Sequence, residues 1–260
     1  MNWKIKSLGH QILSRAPQAE TLNYFLQRHV TGALPVCDET FVQRVKSARR
    51  HFDAFRELKG PGFRLDQARF YEFGAGWDLI TALTFYYLGV SDQTVVDIKP
   101  LLKLELVDDS LRKFRKLRDR LNLRLLREPG DNGALPRLNG VQYLAREFGI
   151  KYFAPADVGS VAFQEEGFDF VSSTDTLEHV PPQQIPPLLS GCYRLLKKGG
   201  LMSSLIDYRD HYSHYDKRVS AYNFLRYSHE QWKRYNPRLQ YQNRLRHKDY
   251  IELSGRTRFE

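Results

Sequence analysis

A short apolar run at residues 70–73 leads into a Gly-x-Gly turn, and an apolar segment at residues 79–88 follows it. This order predicts a β-strand, a tight turn and a helix, with glycines that let the backbone approach a ligand closely. Glu72 stands just before the turn, where its carboxylate would repel a pyrophosphate, and Leu79 stands where a dinucleotide-binding pattern has its third glycine. The pattern therefore favours a nucleotide-like cofactor that carries hydroxyl groups and a positive charge.

Four more strand-like runs follow this turn. Asp97 ends the run at residues 94–96 and lies 21 residues beyond Gly76, which is about the spacing at which the second strand of a βαβ unit presents an acid to ribose hydroxyls. The other runs occupy residues 150–157, 168–173 and 201–206. Open α/β sheets bind ligands at the carboxyl ends of their strands, so we expect all these strand ends to face one crevice.

Over residues 66–210 this series of motifs resembles the class I methyltransferases that use S-adenosylmethionine. The resemblance rests on residues 72–76, on Asp97, on Asp157, on residues 168–171 and 177–180, and on the turn at residues 196–201. It implies that Asp97 holds the ribose and that Asp157 lies beside the adenine amine. The cofactor contacts that it implies are Glu72, Phe73, Gly74, Ala75, Gly76, Asp97, Ile98, Asp157, Val158, Ser173 and Asp175.

The fold implied is an α/β, Rossmann-like, mostly parallel sheet with helices on both faces. Residues 1–62 are predicted to form an N-terminal helical extension and residues 63–260 the S-adenosylmethionine-binding domain. The family's sheet usually ends in an antiparallel hairpin, whereas only residues 256–260 remain here for a last strand. We therefore expect the C-terminal strands to be incomplete or replaced.

The composition is that of a soluble globular chain, with 42% hydrophobic and 27% charged residues among 260. Two cysteines make a disulfide framework improbable, and Cys192 at an apolar helical position is predicted to be a buried free thiol. No run approaches the roughly 20 apolar residues of a membrane span. Lys4 and Lys6 precede no apolar core of a signal peptide, so a cytoplasmic enzyme is predicted.

The net charge of +10 raises the question of nucleic-acid binding. Much of it lies at residues 111–127, where apolar residues at helical spacing predict one amphipathic helix with a basic outer face. A second basic cluster at residues 226–248 is interleaved with aromatic side chains, which could stack on bases. Solvated helix surface and ordinary packing are favoured for both clusters, so nucleic acid is a less favoured partner than a small-molecule acceptor.

Methyl transfer requires an aligned acceptor and, for a hydroxyl, a base that removes its proton. Histidine has the best-matched pKa for that role. The candidates are His211 and His214, which follow the fifth strand, and then His179. The loop at residues 207–216 is predicted to line the acceptor pocket.

Asp175, Glu178 and His179 would share one face of a helix and have atoms suited to a divalent cation. This cluster resembles the E-x-x-E-H metal site of some methyltransferases that act on adjacent hydroxyls, although an Asp replaces the first Glu. A reaction without metal is favoured.

The preferred function is O-methylation of a small-molecule, sugar or lipid-linked acceptor. The alternatives are an RNA methyltransferase, or a non-catalytic protein that retains the cofactor-binding fold. A nicotinamide oxidoreductase is disfavoured by Glu72 and the absent third glycine.

Overall fold

The computed structural model describes residues 2–129, 134–158, 167–257 and residue 259. The chain divides into two compact units. We name residues 33–174 and 190–205 the sheet unit, and residues 1–32, 175–189 and 206–260 the terminal unit. This division differs from the predicted boundary at residue 62: residues 33–62 belong to the sheet unit, and residues 175–189 and 206–260 belong with residues 1–32.

Five parallel strands form the centre of the sheet unit, in the order β3-β2-β1-β4-β5. The chain order reverses between β1 and β4, which is the point where open α/β sheets bind ligands. The order and the surrounding helices confirm the predicted Rossmann-like fold. The strands are β1 (Arg69–Phe73), β2 (Asp92–Val96), β3 (Ile150–Phe153), β4 (Phe168–Thr174) and β5 (Leu196–Leu205).

Aromatic side chains dominate the core of the sheet unit. Phe70 of β1 and Phe170 of β4 have ring centroids 4.8 Å apart, and Phe55 lies 4.8 Å from Phe70. Phe55 belongs to α3 (Asp38–Lys59), which packs against α4 (Ile80–Tyr87) as well as β4 and β5. This apolar contact explains why α3, predicted as part of the N-terminal extension, belongs to the sheet unit instead.

The prediction of a single basic helix at residues 111–127 was wrong. The segment instead includes the end of α5 (Leu104–Lys116) and the one-turn helix α6 (Arg118–Leu121). Asn122, in a left-handed conformation with φ 50°, ends α6. The positions of the apolar residues were compatible with one helix, but they could not reveal these backbone breaks.

The basic side chains of this segment are largely engaged within the sheet unit. Lys116 contacts Asp38 at 2.7 Å, and Lys113 is paired with Asp109. Arg127 donates to the carbonyl of Val90 at 2.9 Å, and so holds the turn before β2. Much of the local positive charge is therefore used in intramolecular contacts.

The end of α8 and the start of β5 also differ from the prediction. A turn was expected at residues 196–201, but α8 (Ile185–Leu195) passes directly into β5. Leu196 pairs with Phe168 and Leu201 with Phe170, so β5 carries extra residues between these pairs. Gly199, with φ 71°, lies in this irregularity.

Cys192 on α8 is a buried free thiol, as predicted. The remaining helix of the sheet unit is α7 (Gly140–Phe148).

The terminal unit is helical and irregular, and its described residues contain no strand after β5. Trp3, Tyr212, Phe224 and Trp232 are buried together in it. Aromatics that were considered as base-stacking candidates, Trp232 among them, are therefore packed against protein. Its helices are α1 (Trp3–Ser14), α2 (Ala19–Phe25), α9 (His229–Lys233) and α10 (His247–Gly255), with a π-helical turn at Leu26–Val30.

Among the described residues, none of the helices combines the length and apolarity needed to span a bilayer.

Candidate functional site

The glycine turn after β1 is built by backbone geometry. Gly74 and Gly76 have φ values of 78° and 66°, a region that L side chains rarely adopt. The Gly74 N–H donates to the carbonyl of Val96 at 2.9 Å, and the Gly76 N–H donates to Oδ2 of Asp97 at 3.0 Å. A Cβ placed on Gly76 would meet no atom within 4 Å. The turn therefore borders open space, as a loop that receives a ligand should.

Asp97 joins the loops that follow three neighbouring strands. Its Oδ1 accepts the Lys99 N–H at 3.0 Å, and its backbone carbonyl accepts the Ala156 N–H at 2.8 Å. Burial raises the pKa of the Asp97 carboxyl, while the hydrogen bonds from the backbones of Lys99 and Gly76 oppose that rise. The acid predicted to hold the ribose is thus fixed in orientation beside the glycine turn.

Glu72 and Asp78 are both buried near this turn. Burial raises the pKa of Glu72 to about 8, a hydrogen bond with Thr81 opposes the rise, and the negative charges of Asp78 and Asp97 add to it. Glu72 is therefore mostly protonated at neutral pH. Asp78 pairs with Arg44 at 2.7 Å. That ion pair compensates its charge.

The remaining predicted cofactor residues have different environments. Ile98 is 69% exposed, which leaves its side chain open to a ligand. Asp157 is exposed and Val158 is buried. Ser173 donates from Oγ to Oγ of Ser204 at 3.0 Å. Phe73 is buried at the end of β1, Ala75 is partly exposed, and Asp175 belongs to the terminal unit.

The residues of the sheet unit fit S-adenosylmethionine, the cofactor that the resemblance implies. The open side of Gly76 leaves room for a ligand to contact the backbone. A buried carboxylate such as Asp97 suits ribose hydroxyls, and its negative charge is compatible with a cationic sulfonium. Asp97 and the glycine turn would hold the nucleoside part.

The histidines predicted for catalysis come together in the terminal unit. Potential ligand atoms of Glu178, His179 and His211 lie within 4.8 Å of one another, and those of Asp207, His211 and His214 do the same. The ring centroids of His179 and His211 are 5.0 Å apart, and those of His211 and His214 are 5.6 Å apart. We call these five residues the histidine cluster.

The helix expected to carry Asp175, Glu178 and His179 on one face does not form. Asp175 has a φ of 49°, and only a 3₁₀ turn, Leu177–His179, follows it. Asp175 belongs to neither of the two groups of potential ligands. The less favoured metal site of Asp175, Glu178 and His179 is therefore not assembled in that form, since Glu178 and His179 are grouped with His211 instead.

Two carboxyl groups of the cluster have opposite pKa shifts. Burial raises the pKa of Glu178 to about 8, with the negative charges of Asp175 and Asp207 adding to the effect. Burial acts in the same direction on Asp207, but hydrogen bonds from His214 and Arg209 outweigh it and hold that pKa well below its usual range. Burial also lowers the pKa of His211 to about 4, so its imidazole is neutral at pH 7.

Two groups that bind histidines of the cluster were not predicted as individual site residues: the Asp207 carboxylate and the Tyr241 carbonyl. Oδ2 of Asp207 lies 3.0 Å from Nε2 of His214, and the carbonyl of Tyr241 lies 2.6 Å from Nδ1 of His179. Asp207, His211 and His214 are spaced by four and three residues, a helical spacing that could have indicated Asp207. Tyr241 contributes a backbone atom, for which no side-chain pattern exists.

A cavity of about 390 Å³ lies within the terminal unit. The segment at residues 207–216, predicted to line the acceptor pocket, does not line this cavity. Its lining residues are Pro182, Gln183, His229, Trp232, Lys233, Asn236, Tyr241, Gln242, Asn243, Arg244 and Leu245.

Residues 138–204 match the family model described as a methyltransferase domain. This match supports the predicted class I methyltransferase, an enzyme with S-adenosylmethionine as its cofactor. No curated protein sequence matches the chain.

Solved structures similar to this chain include the YcgJ protein from Bacillus subtilis, with 15% identity, 81% of this chain and 69% of that chain covered, and a TM-score of 0.45. A proposed sarcosine dimethylglycine methyltransferase from Galdieria sulphuraria has 15% identity, 83% and 60% coverage, and a TM-score of 0.44. A proposed methyltransferase from Bacillus halodurans has 14% identity, 80% and 69% coverage, and a TM-score of 0.43. These low identities and TM-scores identify no substrate.

Proposed function

We propose that this chain, which carries a class I S-adenosylmethionine-dependent methyltransferase domain, methylates a hydroxyl group of a small-molecule, sugar or lipid-linked acceptor. The observation that carries the proposal is the 3.0 Å contact between Nε2 of His214 and Oδ2 of Asp207. A carboxylate that accepts the Nε2–H leaves the lone pair on Nδ1, which can take a proton from a hydroxyl. Such a pair is therefore suited to remove the proton of an acceptor hydroxyl.

We propose a separate task for each unit. When bound, S-adenosylmethionine supplies a methyl group on an electrophilic sulfonium. In the sheet unit, Asp97 would accept hydrogen bonds from the ribose hydroxyls, and the Gly74–Gly76 turn would leave space for the nucleoside. In the terminal unit, Asp207 would keep His214 in the tautomer that accepts a proton, and Arg209 would keep Asp207 ionised.

The test is methyl transfer from labelled S-adenosylmethionine to panels of hydroxyl acceptors, amine acceptors and RNA. With a hydroxyl acceptor, His214→Asn is expected to lower turnover by about 10²–10⁴-fold, the usual contribution of a general base. Its affinity for S-adenosylhomocysteine should not change. His29→Asn, an exposed histidine of the same unit, is the matched control and should retain full turnover.

Other results would contradict the proposal. Transfer only to amines would exclude O-methylation, and cofactor binding without transfer to any class would favour a non-catalytic protein. RNA methylation is the remaining alternative. It is less supported because Lys113, Lys116 and other basic groups of α5 are already paired with acids. Tight, sequence-selective RNA binding at about 0.15 M salt would favour it, since unspecific binding through phosphates weakens steeply with salt.

A further inference from the structure

We propose that the terminal unit binds one divalent transition-metal ion, of the Zn²⁺ and Co²⁺ class, through Glu178, His179 and His211. The proposal concerns a binding site and goes beyond the methyl transfer proposed above. It stands whether or not that reaction requires the ion, because the site is tested by metal binding itself.

The three side chains already stand close to ligand geometry. Their potential ligand atoms all lie within 4.8 Å of one another. Bonds of about 2.0–2.2 Å from zinc to nitrogen or oxygen place neighbouring ligands roughly 3.5 Å apart in a tetrahedral site. Small side-chain movements would therefore bring all three atoms onto one ion. Three protein ligands also leave a coordination position for water or for an oxygen of a bound molecule.

Glu178 supplies an oxygen that lacks a protein partner. Its Oε1 accepts the backbone N–H of Asp207 at 3.3 Å, which orients the carboxyl group. Its Oε2 is buried and has no hydrogen-bond partner in the part of the chain that the structure describes, and the whole residue is only 2% exposed. A buried polar atom left unpaired costs free energy. A cation bound to this oxygen would remove that cost.

His179 is held with one nitrogen free for a ligand bond. Its Nδ1 lies 2.6 Å from the carbonyl of Tyr241. A carbonyl can only accept, so Nδ1 carries the proton and Nε2 keeps its lone pair. Metal-binding histidines usually donate their other ring N–H to a carbonyl or carboxylate, which fixes the ring and its tautomer. Tyr241 performs this role here.

The second group of potential ligands, around Asp207, is less suited to the ion. Both carboxylate oxygens of Asp207 already accept hydrogen bonds from Arg209, at 2.9 and 3.1 Å, and Oδ2 also contacts His214. A cation there would have to displace these contacts, whereas Oε2 of Glu178 has none to lose. His211 is common to both groups, and its Nε2 lies 3.9 Å from Oδ2 of Asp207.

The donor set decides the class of metal. Two imidazoles and one carboxylate suit Zn²⁺ and its neighbours among the transition metals, whereas Mg²⁺ and Ca²⁺ prefer oxygen ligands. We therefore expect Mg²⁺ to bind at least about 100-fold more weakly than Zn²⁺.

The experiment is a Co²⁺ titration of the metal-free full chain, followed by visible absorption of the bound ion, with Zn²⁺ then added in competition. One Co²⁺ per chain is expected, displaced by Zn²⁺. Glu178→Gln and His179→Asn should each lower Co²⁺ affinity at least about 10-fold, because loss of even an outer-shell partner of a ligand typically costs that much. His29→Asn should leave it unchanged. Unfolding temperature and S-adenosylhomocysteine binding show that each variant is folded.

Three results would overturn the proposal. The first is no Co²⁺ or Zn²⁺ binding by the folded chain at 1:1 stoichiometry. The second is unchanged affinity in the folded double variant E178Q/H179N. The third is loss of the ion in His214→Asn but not in Glu178→Gln, which would place it at Asp207 instead. None of these results depends on finding the methyl acceptor, so they are distinguishable from a failure of the proposed O-methylation.

Discussion

The glycine turn of the sheet unit and the histidine cluster of the terminal unit are assembled in opposite ways. In the turn, backbone groups that follow β1 form hydrogen bonds with groups at the end of the adjacent strand β2. The Gly76 N–H, for example, donates to the carboxylate of Asp97, which lies 21 residues further along the chain. In the cluster, side chains from irregular segments converge, and His179 reaches a partner 62 residues away. A site at strand ends is positioned by the regular geometry of the sheet. A cluster such as this one is positioned only by the way in which irregular segments pack.

The largest effect is expected at the turn. Gly76→Val should abolish measurable S-adenosylhomocysteine binding, because a branched side chain would fill the open space beside the backbone. Gly199→Val is the matched control, since Gly199 also has positive φ and open space. Both substitutions should cost about 1–2 kcal/mol of stability from backbone strain. Calorimetry and thermal unfolding check the two effects; normal binding by Gly76→Val would show that the turn is not the cofactor loop.

The next effect concerns the stability of the terminal unit. Trp3 of α1 lies 4.8 Å from Tyr235 and 5.2 Å from Tyr212, measured between ring centroids. Trp3→Ala should lower the free energy of unfolding by about 3–5 kcal/mol, the usual cost of removing a buried aromatic side chain. Ile5→Ala, at a 65% exposed position of the same helix, should change it by less than about 0.5 kcal/mol. If chemical denaturation showed equally small changes in the free energy of unfolding for both variants, the packing of α1 would not stabilise the terminal unit.

A pH-dependent effect is expected from Glu72. Its pKa of about 8 in the folded chain lies above the ordinary value of 4.5. Between these values the unfolded chain has released a proton that the folded chain retains. Stability therefore falls as pH rises through this window, by up to about 1.4 kcal/mol per pH unit. Glu72→Gln should remove this contribution, and exposed Glu57→Gln should not. Parallel stability curves for wild type and Glu72→Gln from pH 5 to 8 would refute the buried, protonated state.

The smallest effect is that of a single charge. Asp97→Asn keeps an acceptor for the Gly76 N–H but removes the charge that strengthens bonds to ribose hydroxyls. Affinity for S-adenosylhomocysteine should fall about 10- to 100-fold, corresponding to roughly 1.5–3 kcal/mol for hydrogen bonds to a charged group. Asp92→Asn, at the other end of β2, should leave affinity unchanged, although it loses a 2.9 Å ion pair with Lys151. If both variants bound S-adenosylhomocysteine with similar affinity, Asp97 would not be a cofactor-binding residue.

Most of the sheet could be predicted because strand signals are local. The predicted run at residues 70–73 agrees with β1 to within one residue, and the run at residues 168–173 agrees with β4 equally well. The run at residues 94–96 lies within β2, which begins earlier, at Asp92. Two of the local errors have a common cause. The break between α5 and α6 and the early start of β5 are changes of backbone conformation inside apolar patterns that remain compatible with the predicted elements.

By itself, the sequence determined the parallel α/β fold and the position of the glycine turn relative to Asp97, because short apolar runs, glycine turns and the spacing of a βαβ unit are short-range properties. The tertiary structure alone decided that α3 joins the sheet, that Asp175 lies outside the ligand groups and that Glu178 keeps a buried oxygen beside two imidazoles. These outcomes depend on which apolar faces and polar atoms meet across long stretches of chain. Burial and pairing of that kind are properties of the folded whole, and no local pattern encodes them.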